Sequence, residues 1–419
     1  MVRRLFGSVR FVAGRLLPLW FFAAGQAAAT EQISSPAFQN LLLRLQQHPA
    51  LRVSLAERAH WQANADGSMG LPDPNFTLGL NNLPVNEPTS FDRYLPSSRS
   101  LEFKQVIPGL NGRETLRDTH LARAALADLQ RQSVLAELEL RLVTALAERS
   151  RIHAARAAFD QQMGLLAERE RWLRGEMASG AAVYGRFDEL DVKRAEIDEK
   201  KITLAGEAER WQAELRSLLD LVPPDGILPE IQPRSWTGNP QSLLKIRIEL
   251  GRLAVARAEV AERNAAFDSD YAISVAWQQR EAGENFDGDD WFTLKFTASL
   301  PLWSSTNQTP KLKAAEANVT KLMAQQERQL RELTSDYQTA LASYRTADQL
   351  LTAMAQRQQR LKALEAANRR RYEAGDLDLD GVIRPALQLA EVELDLAQAK
   401  KQRTIAAARI NAMFVEENP

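Results

Sequence analysis

Phe292, Leu294 and Phe296 alternate with Thr293, Lys295 and Thr297, the period-two pattern of a strand with one apolar and one polar face. Three other stretches share it. "FTLGL" puts Phe76, Leu78 and Leu80 on one face, and "LEFKQVIP" does the same for Leu101 and Phe103. "YAISVAW" sets Tyr271, Ile273, Val275 and Trp277 opposite Ala272, Ser274 and Ala276. The rest of the chain is rich in Ala, Leu, Glu, Arg and Gln, which are strong helix formers. A few two-faced strands in a helical chain must place their apolar faces somewhere, and this constrains the fold more than the helices do.

The strands are expected near 75–83, 100–107, 270–278 and 291–300. Such lengths are close to the roughly 9–11 residues that cross an outer membrane at a tilt. In that reading Phe76, Leu78, Leu80, Leu101, Phe103, Tyr271, Ile273, Val275, Phe292, Leu294 and Phe296 face lipid. Thr293, Lys295 and Thr297 face a watery lumen, because Lys295 would be costly in hydrocarbon. Tyr271, Trp277 and Trp291 lie near strand ends, as in an interfacial aromatic belt. The alternative is a small soluble β-domain with one buried face. Four strands cannot close a barrel, and lipid does not tolerate an open sheet edge. Membrane strands in this chain therefore require several copies to share one barrel.

The chain repeats itself. Leu101–Pro108 aligns with "LKFTASLP", Leu294–Pro301, and "RWLRGEM" around Gly175 aligns with "RRYEAGDL" around Gly375. The two correspondences share an order and nearly the same offset, the signature of a duplicated unit. The expected organisation is a signal peptide over 1–29, a first repeat over 30–219, a Pro/Gly-rich linker over 220–240, a second repeat over 241–414 and a tail over 415–419. In the first repeat a helix from about Ser35 to Ala65 stops at the prolines of "GLPDPN". A second helix runs from about Gly112 to Arg174, breaks around "GEMASGAAVYG" and resumes to Leu219. In the second repeat Thr309 and Pro310 suit an N-cap and first turn. Leu135, Leu138, Leu142 and Ala145, and likewise Leu330, Leu333, Tyr337, Ala340 and Tyr344, keep coiled-coil spacing. Helices of about 60 residues would extend roughly 90 Å, and on their own they also fit an elongated coiled-coil scaffold.

Arg3, Arg4, Arg10 and Arg15 precede the apolar "LLPLWFFAAG" and the small-residue run "QAAAT", the pattern of a secretory signal cut after Ala29. A retained anchor is the other reading, although the apolar run is short for a bilayer. No later run is long enough for a transmembrane helix. Aromatics at 7 %, charged residues at 26 % and hydrophobics at 45 % suit long amphipathic helices. The net charge is −1 and no basic block marks nucleic acid as a partner. The chain has no cysteine, which excludes disulfides, thiolate metal sites and cysteine nucleophiles.

"GLPDPNFTLGLNNLP", "LEFKQVIPGLNGRE" and "RRYEAGDLDLDGVI", taken with the duplication and two strands per unit, resemble the TolC family of outer-membrane efflux proteins. Their local form is similar to the heavy-metal branch of the cobalt–zinc–cadmium type. The resemblance implies a mainly α fold with a membrane β-barrel part: a homotrimer with a shared twelve-stranded barrel and a long periplasmic helical barrel. It implies an outer-membrane channel in a Gram-negative bacterium, with a periplasmic adaptor protein, an inner-membrane efflux pump and outer-membrane lipid as partners. Such a channel is a passive exit duct in a tripartite efflux system, here for heavy-metal cations among other substrates. A periplasmic adaptor is the competing function, but one would carry a single central hairpin.

No enzyme activity, cofactor or metal site is expected, since no Walker loop, HExxH motif or clustered nucleophile and base occurs. His48, His60, His120 and His153 make no pair at ligand spacing. "DLDLDG", Asp376 to Gly381, begins like a calcium loop, but Leu387 stands where the twelfth-position Glu belongs and Pro385 interrupts the segment that follows. In the family the break between the long helices is the periplasmic pore tip. Asp376, Asp378 and Asp380 are the candidate acidic ring there, favouring cations. Asp188, Glu189 and Asp191 either join that ring or line a solvated helix face.

Overall fold

The computed structural model describes residues 36–415, except 87, 89, 90 and 94–96. The expected signal peptide and most of the tail lie outside these residues, as does part of the loop between the first two strands. Helices α1 (Pro36–Leu45) and α2 (Pro49–Ser68) precede strands β1 (Asn75–Asn81) and β2 (Ser98–Ile107). The long α3 (Leu110–Ala178) and then α4 (Tyr184–Leu219) follow. The second half repeats this order as α5 (Leu244–Ala265), β3 (Tyr271–Gln279), β4 (Trp291–Ala298), α6 (Gln308–Glu373) and α7 (Leu379–Asn411).

Three local expectations are corrected. The helix expected over Ser35–Ala65 breaks at Gln46–His48, and α2 restarts with Pro49 in its first turn, where a missing N–H costs nothing. The His48 imidazole caps it, accepting from the Ala50 N–H at 3.2 Å. Thr309 is not an N-cap: α6 begins at Gln308 behind Asn307, and the Thr309 N–H donates to the Ser304 carbonyl at 2.8 Å. Pro385 does not interrupt α7 but lies inside it. Proline leaves the carbonyl four residues back without its helical donor, and the Asn368 amide on α6 supplies one, donating to the Gly381 carbonyl at 2.8 Å.

The strands form one antiparallel sheet in the order β1-β2-β3-β4. The central β2–β3 pairing joins the two repeats, and β1 and β4 are left as edges. Below the sheet α3 packs on α2 and α5, and α6 packs on α5; farther along, α3 packs on α4 and α7, and α6 on α7. The neighbours thus run α2–α3–α5–α6 near the sheet and α4–α3–α7–α6 beyond it. In every tier the first repeat holds one edge and the second repeat the other.

The seam residues Leu135, Leu138, Leu142 and Ala145 are buried with Phe38 and Leu41 of α1 and Leu215 and Leu218 of α4. Leu333, Tyr337 and Ala340 are buried with Leu243, Ile246, Ile410 and Phe414. At α3 of 69 residues and α6 of 66, a rise of about 1.5 Å per residue gives rods of roughly 100 Å.

The segment between the repeats is a strap rather than a free linker. Arg149, 8 % exposed, donates to the carbonyls of Pro223, at 2.6 Å, and Pro224. Asn411 donates to the Gln232 carbonyl at 2.9 Å. The Trp236 N–H donates to the Tyr337 hydroxyl at 3.0 Å.

Candidate functional site

The pairing register sorts the strand residues into two faces. Phe76 lies opposite Phe103, Phe103 opposite Val275 and Val275 opposite Leu294. The row of Leu78, Leu101, Trp277 and Phe292 is its neighbour on that face, and Ile273 pairs with Phe296. All eleven residues expected to face lipid share this side. No helix packs against the sheet among the described residues, so the face is bare. Leu78 is 83 % exposed and Phe292 72 %. A soluble β-domain would bury such a face, because leaving each large side chain in water forgoes about 1.5–3 kcal/mol.

The opposite face carries Thr77, Glu102, Ala276 and Thr293 in one row, and Asn75, Lys104, Ser274 and Lys295 in the next. Thr297 pairs with Ala272 on the same side. Thr293, Lys295 and Thr297 therefore share the polar face. Lys104 joins them; the period-two pattern of "LEFKQVIP" carried that signal, although its place beside Lys295 depends on the β2–β3–β4 register.

Aromatic residues occur at both strand ends. Tyr271 stacks on Phe296 at the helical end, with centroids 5.7 Å apart. Leu300, Leu302 and Trp303 just beyond β4 are exposed and extend the apolar surface there. At the loop end Trp291 lies on the polar face by register, with the Arg280 guanidinium 5.4 Å from its ring centroid. Trp277 belongs to the apolar rows. Two contacts tie the ends of the repeats together at the sheet–helix junction. The Gly109 N–H donates to Asp270 Oδ1 at 2.9 Å, and Asn111 donates to Asp268 Oδ2 at 2.7 Å.

At the far end of the helices, the α3–α4 and α6–α7 turns lie side by side. Gly180 and Gly375 adopt φ of 96° and 82°, left-handed conformations that glycine reaches without a Cβ clash. The structure separates the three candidate aspartates. Asp376 is exposed. Asp378 caps α7, its Oδ1 accepting from the Gly381 N–H at 2.9 Å. Asp380 is held by Arg169 of α3, with Nε to Oδ1 at 2.7 Å and Nη2 to Oδ2 at 3.3 Å. Arg186 stands 3.7 Å from the same carboxylate.

Asp188 is exposed. Glu189 and Asp191 each lie 3.9 Å from an arginine, Arg169 and Arg194 respectively. Glu170 accepts from both Arg194 and Arg174, and these bonds hold its carboxyl below the usual range. The tip is thus a mixed network whose arginines the sequence reading did not weigh. In this conformation Asp380 is not a free acidic charge. Among the described residues no three His, Cys, Asp or Glu side chains cluster as a metal site; Leu387, at the twelfth position of the calcium-like stretch, packs against the apolar core of α3 and α4.

No family model matches the chain, and no curated protein does. Solved structures do. A structure of CusC, described for its folding and transmembrane channel formation, superposes with a TM-score of 0.72 at 12 % identity, covering 91 % of this chain and 92 % of CusC. The outer membrane protein VceC of Vibrio cholerae gives 0.71 at 16 % identity, with 90 % and 95 % covered. The open MtrE outer membrane channel of Neisseria gonorrhoeae gives 0.67 at 15 % identity, with 90 % and 88 % covered. The chain has the fold of TolC-like outer-membrane channels over nearly its full length.

Proposed function

We propose that this chain is an outer-membrane channel in which three copies share one twelve-stranded barrel, serving as the passive exit duct of a tripartite efflux system. The observation that carries this reading is the bare apolar face of the sheet, with Phe76, Leu78, Leu80, Phe292, Leu294 and Phe296 all exposed. Lipid takes up such a face, backed by a polar one, without the cost of leaving it in water. The open edges β1 and β4 then require pairing with neighbouring copies. A β1-to-β4 contact is head-to-tail, which closes into a ring rather than a two-fold dimer.

The names of the structural neighbours, channels of the outer membrane, support the channel role. An adaptor protein and an inner-membrane pump are the partners that this role requires, the pump supplying the energy. The signal peptide over 1–29 accounts for export to the periplasm. The long helices cross that space, and their turns form the pore tip, where the exposed Asp376 and Asp188 are left to act on ions. Heavy-metal cations are the cargo suggested by the local motifs, and the likeness to CusC favours that branch.

Fractionation tests the reading. Heat-modifiable trimers in the outer-membrane fraction that conduct in planar bilayers support it. Release as a soluble periplasmic monomer refutes it and favours the adaptor.

A further inference from the structure

The polar face of the sheet carries more positive than negative charge. Lys104 of β2 and Lys295 of β4 flank Ser274 of β3 in a single cross-strand row, each lysine paired with that serine. Both lysines are exposed, and neither has an ion-pair partner among the described residues. In and beside that row the central strand presents only the small side chains of Ala272, Ser274 and Ala276 on this side. Ser274 is 7 % exposed, and Ala272 and Ala276 are also buried, so the longer side chains of β2 and β4 dominate the surface. Glu102, in the adjacent row, is the one other charged residue that the register puts on this face.

Adjacent strands lie about 4.8 Å apart, so the two ammonium groups are anchored roughly 10 Å from each other. That is comparable to the Debye length of about 8 Å at physiological salt, and their fields add. From this geometry we infer that Lys104 and Lys295 form an anion-selecting belt inside the barrel. The inference rests on the channel reading above: only with this face turned to a lumen shared by three copies does the row repeat around the pore. Rings of lysine favour anions, just as rings of acidic residues favour cations. The belt lies on the barrel strands, at the opposite end of the helices from the mixed-charge tip, so the two act in series. Its consequence is a cargo class. Anionic solutes, including metal bound in anionic complexes, pass the belt more readily than bare divalent cations.

The test is the chloride-to-potassium permeability ratio of the purified full chain in planar bilayers under a KCl gradient. Lys104→Gln with Lys295→Gln should lower the ratio roughly tenfold, and each single change should lower it part of the way. Lys104→Arg with Lys295→Arg, which keeps the charges, should leave it unchanged. The single variants keep the test available if the double variant inserts poorly. Pores of normal conductance whose ratio is the same in wild type and both glutamine variants overturn the inference and leave the channel reading standing. Folded wild-type protein that makes no pores overturns the channel reading, and the belt with it.

Discussion

Arg169 on α3 grips Asp380 in the first turn of α7 through two hydrogen bonds, at 2.7 and 3.3 Å, across 211 positions of sequence. The pair joins the end of the first repeat's long helix to the second repeat's tip. Both side chains are under one-fifth exposed, so solvent screens them less than a surface pair. Asp380→Asn should cost about 1.5–3 kcal/mol locally. Amide hydrogen exchange over 379–384 should speed up while exchange in the strands stays unchanged. Faster exchange in both would mean that the pair supports the whole fold rather than the tip.

Asn368 and Pro385 form a second coupled pair at the same turn, since the Asn368 amide supplies the Gly381 carbonyl with the donor that Pro385 removes. Asn368→Ala should destabilise by about 1 kcal/mol, because a half-buried carbonyl loses its donor. In a Pro385→Ala background the helix regains its own donor, and Asn368→Ala should cost less. Denaturant unfolding of the four members of this cycle measures the coupling; equal costs in both backgrounds would remove it.

Leu294→Arg should impair insertion by about 2–4 kcal/mol if it lies near the bilayer midplane, whereas Thr293→Arg should insert and alter conductance. Trimer yield in the outer membrane, compared between the two variants, checks the assigned facing. Equal damage would contradict it.

Stability should fall on acidification in two separate windows. Burial, with Arg123 adding to it, lowers the pKa of the His120 imidazole from 6.5, His60 adding a little and Glu262 opposing. Its Nδ1 has no hydrogen-bond partner among the described residues, and the ring stacks on Trp61. The unfolded chain therefore binds a proton at a pH where the folded one does not. The stability this group contributes is complete above pH 6.5 and is lost as pH falls toward the folded value. Glu170, held low by Arg194 and Arg174, contributes above 4.5 and loses its share as pH falls through its folded value. His120→Gln should flatten the upper window alone in chemical denaturation against pH.

The faces of the strands were legible because period-two alternation is local: Phe292, Leu294 and Phe296 carry their own pattern whatever surrounds them. The break at Gly375 was legible for a similar reason, glycine marking the positive-φ turn; the first break was misplaced, since Gly175, aligned with Gly375, lies inside α3, and Gly180 takes the positive φ. The break before Pro49 was hidden, because proline fits a first turn as readily as it ends a helix. The pairing of Asp380 with Arg169 was invisible, since no local signal links residues that far apart. Lys104 showed its parity but not its partner row, and the strap over 220–240 read as a linker because its anchors, Arg149, Tyr337 and Asn411, lie on distant helices.

The central claim is that one side of this sheet meets lipid and the other meets water. The chain has no cysteine, so single cysteines at 76, 77, 292, 293, 294, 295, 296 and 297 can each carry one fluorophore in the reconstituted protein. Brominated lipid should quench 76, 292, 294 and 296, and a water-soluble quencher should reach 77, 293, 295 and 297. An alternating two-residue pattern is the predicted result. Uniform access to the aqueous quencher, with none to the lipid, would contradict the account.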